Sequence, residues 1–181
     1  YGGVLNYKRG EPDHADRDRV IVSKGHAAMV LYPVLADLCY FPHDELKRFP
    51  EPGGLLGMYA DFRIPGIEGI SGSLGHGLGM GSGFALAARQ DDHDYRTFVI
   101  LGDGECYEGS IWESAMFAAH HKLDNLVAIV DRNELCILGR TEDLVALGEA
   151  LRTALHLLRP AGEGVGGGAR FARHRHGISK P

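Results

Sequence analysis

Apolar residues fall along this chain in short unbroken runs. Thr97-Phe98-Val99-Ile100-Leu101 and Leu126-Val127-Ala128-Ile129-Val130 both lack the apolar–polar alternation of a half-exposed strand. Runs of this length and kind fit strands of a parallel sheet covered on both faces. Between them, residues 110–122 predict a helix with Ile111, Ala115, Phe117 and Ala118 able to face the sheet. Strand, helix and strand in that order predict a βαβ unit. Upstream, Arg19-Val20-Ile21-Val22 is a shorter β-branched run and a third strand, which Ser23-Lys24-Gly25-His26 breaks. Residues 27–40 are apolar and helix-like, with Pro33 expected to kink the helix or mark a boundary. Pro42 can open another helix through Asp44, Glu45 and Phe49. Residues 50–72 are rich in Gly and Pro and predict loop. Gly72-Ser73-Leu74-Gly75-His76-Gly77-Leu78-Gly79 then enters a helix of small residues, Ala85, Ala87 and Ala88 among them, suited to close packing on a flat surface. The expected class is α/β, a parallel sheet with helices on both faces. No internal repeat is present.

The chain's 181 residues suit one domain with a sizeable core better than two. A net charge of −5 argues against nucleic acid or an anionic membrane as the main partner. No apolar run approaches the roughly 20 residues that span a bilayer. Tyr1-Gly2-Gly3 leads into polar sequence with no signal-peptide pattern. Cys39, Cys106 and Cys136 form no CxxC pair, which predicts reduced thiols and a cytoplasmic setting. Charge divides the chain in two. Of its 19 Lys and Arg and 24 acids, six and two fall in 148–181, leaving 13 and 22 in residues 1–147. The expected organisation is a domain over 1–147 and a Gly/Arg/His-rich tail over 148–181, disordered or translated out of frame.

Asp103 follows the first strand of the βαβ unit and Asn133 follows the second. The carboxyl ends of parallel strands are where such sheets bind ligands. A separation of 30 positions suits a strand end, a crossover helix and a return to the same edge. One carboxylate and one amide suit a hard cation such as Mg²⁺, which takes its other oxygens from phosphates and water. Gly102 and Gly104 would let the backbone approach a diphosphate. Gly-Asp-Gly alone is ordinary turn chemistry; the buried strands and the later Asp131-Arg132-Asn133 give it weight.

In combination these motifs resemble the amino-terminal, thiamine-diphosphate-binding domain of transketolases. The resemblance rests on Gly102-Asp103-Gly104-Glu105, Glu108-Gly109, Trp112-Glu113 and residues 116–131, with Arg17-Asp18-Arg19, Ser23-Lys24-Gly25-His26 and the glycine turn at 72–77. It is closest to the bacterial type whose halves are separate chains. It covers about four-fifths of the sequence and fades near Val145. It implies thiamine diphosphate and Mg²⁺ as cofactors. Asp103 and Asn133 would hold the metal through side chains and Leu135 through its carbonyl. His26 matches a histidine near the diphosphate and substrate, and Gly72 and Leu74 match the segment beside the aminopyrimidine. Gly102 and Gly104 belong to the diphosphate signature. Glu108 matches a glutamate that communicates between active sites across a dimer interface.

The sequence departs from the family at Gly57-Met58-Tyr59, where many relatives have Gly-His-Pro, and after Val145, where a later Asp-Gly-His segment is expected. The expected function is therefore that of an N-terminal transketolase subunit or fragment. It would transfer a two-carbon ketol group between sugar phosphates of the pentose phosphate pathway, in a homo- or hetero-oligomer with a C-terminal partner, and be inactive alone. The alternatives are a non-catalytic truncated remnant and another thiamine-diphosphate enzyme, such as deoxyxylulose phosphate synthase or an oxo-acid decarboxylase.

Overall fold

In the computed structural model, residues 3–70 and 72–148 are described, together with the backbone of 170–175. The three apolar runs become β1 (Arg19–Val22), β2 (Thr97–Gly102) and β3 (Leu126–Arg132) of one parallel sheet. Val22 lies opposite Ile100, Thr97 opposite Leu126 and Gly102 opposite Asp131. All three strands thus end along one edge.

Successive residues of a strand point to opposite faces, and both faces here are covered. Ile21, Val99, Leu101, Ala128 and Val130 pack with Leu78 and Ala85 of α3 (Gly77–Gln90) and with Ile111, Ala115 and Ala118 of α4 (Gly109–His120). Val22 and Ile100 face the other way, into a second cluster with Ala28, Tyr32 and Leu35. That cluster holds the segment predicted to be a helix over 27–40. It divides into a 3-10 helix, Gly25–Val30, and α1 (Leu31–Asp37). Pro33 stands just past that boundary, in the first turn of α1, where a missing N–H lacks an intrahelical acceptor anyway. The helix opened by Pro42 is one turn, α2 (Asp44–Lys47), and stops short of Phe49. The loop that follows has no regular element, but it buries Leu56, Ala60 and Ile64 against α1.

Close packing of α3 on the sheet depends on glycine. A Cβ on Gly81 would collide with Val99 of β2, and one on Gly77 with Ser23. Gly83, on the same helix, faces open space. At the opposite, amino end of the strands, buried Asp18 ties three segments together. Its Oδ1 accepts the Arg96 amide at 2.7 Å. Its Oδ2 accepts the Asn6 amide at 2.9 Å and the Arg96 guanidinium at 2.7 Å.

After β3 come a short antiparallel hairpin, β4 (Leu135–Cys136) with β5 (Gly139–Arg140), and α5 (Thr141–Leu144). A fourth parallel strand, β6 (Arg170–Arg175), lies along β3, with Val127 opposite Arg170 and Arg132 opposite Arg175. No strand was expected past 148. The outer edge of β3 presents unpaired N–H and C=O groups that a backbone of any composition can satisfy. The other residues of 149–181 lie outside the described residues, and with them the expected character of that segment. Among the described residues no helix is long and apolar enough to cross a membrane.

Gly81 and Gly83 of α3 should respond to one substitution with opposite signs. Gly83→Ala is expected to stabilise by up to about 1 kcal/mol through helix propensity. Gly81→Ala is expected to destabilise by about 1–2 kcal/mol, because overpacking against Val99 outweighs that gain. Urea unfolding of both variants checks the pair, and equal shifts would contradict the packing.

Candidate active site

The carboxyl edge of the sheet gathers the ends of β1, β2 and β3. Asp103 is the first residue past β2 and caps a 3-10 turn, Gly104–Tyr107. Its side chain is 1% exposed. Oδ1 accepts the Gly104 amide at 2.9 Å. Oδ2 accepts the Glu134 amide at 2.8 Å and the Thr141 hydroxyl at 3.4 Å. Asp103 therefore reaches across to the residue after Asn133, so the two ends of the βαβ unit meet as the spacing predicted. The chain turns there through a left-handed Glu134, φ 63°. Asn133 is exposed, and its Oδ1 accepts the Leu135 amide at 2.9 Å. This bond two residues along fixes the start of the hairpin.

The hairpin stands over the end of β2. A Cβ on Gly104 would sit 2.8 Å from that of Cys136, so hairpin packing already requires glycine there. Gly102 has ordinary room, its nearest neighbour being the Lys24 stem at 3.5 Å. The Lys24 ammonium pairs with Asp131 across that stem. Tyr107 secures α5, which follows the hairpin, its hydroxyl lying 2.7 Å from the Thr141 carbonyl and 3.1 Å from that of Val145. The tip carries Ile137 and Leu138, 101% and 80% exposed.

The glycine turn belongs to the same edge. Gly72 and Leu74 are exposed. Gly75 has φ +90°, and a Cβ there would lie 2.6 Å from Ser110 Oγ and 2.7 Å from Glu108 Cβ. The Ser110 hydroxyl donates to the Gly75 carbonyl at 2.9 Å, seating the turn on the start of α4. Glu108 occupies the N-cap position of α4 without a side-chain capping bond and is exposed. His26 is exposed in the 3-10 helix that follows β1.

Sequence reasoning assigned no role to Glu105. It is 2% exposed, and its carboxylate accepts from the Ser23 hydroxyl, the Gly75 amide at 2.8 Å and the Gly102 amide at 3.0 Å. Its position two residues after Asp103 was the only sequence signal, and an acid there reads as a solvated turn residue until the 3-10 geometry turns it inward. Thr141 and Tyr107 were missed for a similar reason, since their partners, Asp103 for one and the Thr141 and Val145 carbonyls for the other, lie more than 30 positions away in sequence and leave no local pattern.

Burial, with the nearby Glu105 and Asp103 carboxylates, pushes the Cys106 thiol up to about 12. Only thiolate is nucleophilic, so Cys106 should not react with a disulfide reagent at pH 8. Cys39 is exposed and Cys136 half-buried. Labelling at that pH is expected to modify Cys39 first and Cys106 only after unfolding. Fast modification of Cys106 in the folded protein would contradict its burial.

Residues 1–153 match the family described as transketolase, thiamine diphosphate binding domain. The chain is 43% identical over 152 residues to one subunit of the apulose-4-phosphate transketolase of Phocaeicola vulgatus, covering 84% of this chain and 54% of that protein. It is 42% identical over 145 residues to the SqwG subunit of the 6-deoxy-6-sulfo-D-fructose transketolase of a Clostridium species, covering 80% and 53%. The solved transketolase of Campylobacter jejuni superposes with a TM-score of 0.77 at 28% identity, covering 85% of this chain and 25% of that one. The chain thus spans about half the length of the two subunit relatives. It belongs to the transketolase family, as part of the thiamine diphosphate binding domain.

Proposed function

We propose that this chain is the cofactor-binding part of a split transketolase. In this reading it transfers a two-carbon ketol group between sugar phosphates, with Mg²⁺ and a second chain that supplies the carboxy-terminal half. The observation that carries the reading is Asp103: a buried carboxylate that makes no ion pair among the described residues. Burying a charge without a counter-charge is costly, and backbone amides offset only part of that cost. Its two oxygens offer about four lone pairs and accept three contacts, so a cation can still be held. Asn133 Oδ1 likewise accepts one bond and keeps a lone pair free. The donor set fits Mg²⁺, with Asp103 and Asn133 binding through side chains and Leu135 through its carbonyl.

Thiamine diphosphate, when bound, supplies the carbanion chemistry of ketol transfer. This chain's residues bind and orient it. Gly102 and Gly104 line the diphosphate side, Gly72 and Leu74 the aminopyrimidine side, and His26 stands where diphosphate and substrate meet. Glu108 serves the contact between copies or partners. Ile137 and Leu138, left outside the core, support a site that another surface completes. The two subunit relatives are named for apulose 4-phosphate and 6-deoxy-6-sulfo-D-fructose, and both names support a sugar with an anionic terminal group as substrate.

Calorimetry of the chain with thiamine diphosphate and Mg²⁺ tests the reading. Asp103→Ala is expected to weaken binding by several kcal/mol, on the order of a buried charge pair losing one partner. Unchanged affinity would overturn the metal assignment. Ketol transfer from xylulose 5-phosphate should need the carboxy-terminal partner. Normal cofactor binding without turnover in the partner's presence would favour a non-catalytic remnant.

A further inference from the structure

We infer that Glu105 is a positioning residue that locks three cofactor-facing segments into one register, an inference that rests on the cofactor reading above. Its carboxylate contacts one group from each segment. Ser23, which donates its hydroxyl to Oε1, is the first residue past β1 and leads into Lys24, Gly25 and His26. Gly75, whose amide lies 2.8 Å from Oε1, closes the turn that carries Gly72 and Leu74. Gly102, whose amide lies 3.0 Å from Oε2, immediately precedes Asp103. The Ser23 oxygen in turn accepts the Gly77 amide at 3.0 Å, tying the first residue of α3 into the same knot.

The chemistry of the knot explains why a carboxylate stands there. All three of its partners donate, so the central group must accept at both oxygens. A carboxamide has one oxygen and one NH₂ group. If the oxygen of a glutamine serves Ser23 and Gly75, its NH₂ faces the Gly102 N–H and two donors collide. The alternative orientation puts the conflict at Gly75. Either way the glycine turn is no longer held to the end of β2, while Asp103 keeps its own bonds to the Gly104 and Glu134 amides. Asp at this position would be one methylene short and could not span all three. Among the described residues Glu105 pairs with no cation. It neither reaches the edge where ligand would lie nor contacts solvent to any extent. Its action is therefore on the placement of other groups.

Two probes separate positioning from general stability. Inorganic diphosphate with Mg²⁺ needs only the Asp103–Asn133 side of the site. Thiamine diphosphate with Mg²⁺ needs that side and the glycine turn held at the correct separation. Binding can be followed through the single tryptophan, Trp112, whose indole donates to the Cys106 carbonyl at 3.0 Å, next to Glu105. Glu105→Gln is expected to weaken thiamine diphosphate at least about tenfold and inorganic diphosphate less than about threefold, the scale of losing a hydrogen bond to a charged group. Asp103→Ala should weaken both. If Glu105→Gln does not fold, Ser23→Ala, which cuts the links to β1 and Gly77 and leaves Gly75 and Gly102 on the carboxylate, is expected to weaken thiamine diphosphate by about two- to tenfold, the scale of losing an ordinary hydrogen bond, and to leave inorganic diphosphate unchanged. Parallel losses for the two probes in the variant that folds would overturn the positioning role and leave the cofactor reading intact. A wild-type chain that binds neither probe would overturn both.

Discussion

Two carboxylates are buried within three residues at the mouth of β2, and the rest of the site is arranged to make that tolerable. Asp103 and Glu105 are both almost fully enclosed. An ionised carboxylate in such a place needs strong partners. The chain supplies N–H donors from segments far apart in sequence: Gly104 and Glu134 for one, Gly75 and Gly102 for the other. Charge-assisted bonds of this kind are short and strong. Their donors belong to the turn, the strand end and the hairpin, so satisfying the charges also fixes where those loops stand.

Packing sets the distances over which this can work. The turn reaches Glu105 because α3 lies close on the sheet, and α3 can lie close because Gly77 and Gly81 are one helical turn apart on its inner face. The hairpin reaches Asp103 because Gly104 leaves room for Cys136. Backbone economy at a few positions therefore governs polar geometry at others, and the same glycines serve both core and site.

Much of this was legible in the sequence. Unalternating apolar runs mark β2 and β3, because a strand covered on both faces has no polar side to show. The spacing from Asp103 to Asn133 predicted their meeting, because a crossover helix returns a parallel strand to the same edge. The inner wiring was less legible. A 3-10 turn and an α-helical turn bury different positions, so the inward aim of Glu105 could not be read from Gly-Asp-Gly-Glu. Residues 27–40 look uniformly helical, yet the chain changes from 3-10 to α at Leu31 and uses Pro33 inside a first turn. Strand β6 carries Arg170, Arg173 and Arg175. A strand set by the open edge of its neighbour need not advertise itself by hydrophobic pattern.

The knot at Asp18 has a different kind of consequence. It binds Asn6 and Arg96 where β1 and β2 begin, a full strand length from the edge that carries Asp103. The two ends of the sheet therefore carry different constraints. A lesion at the Asp18 end acts on how much folded protein a cell maintains and leaves the loops around Asp103 untouched, whereas a lesion among the buried carboxylates at the other end disturbs stability and loop placement together.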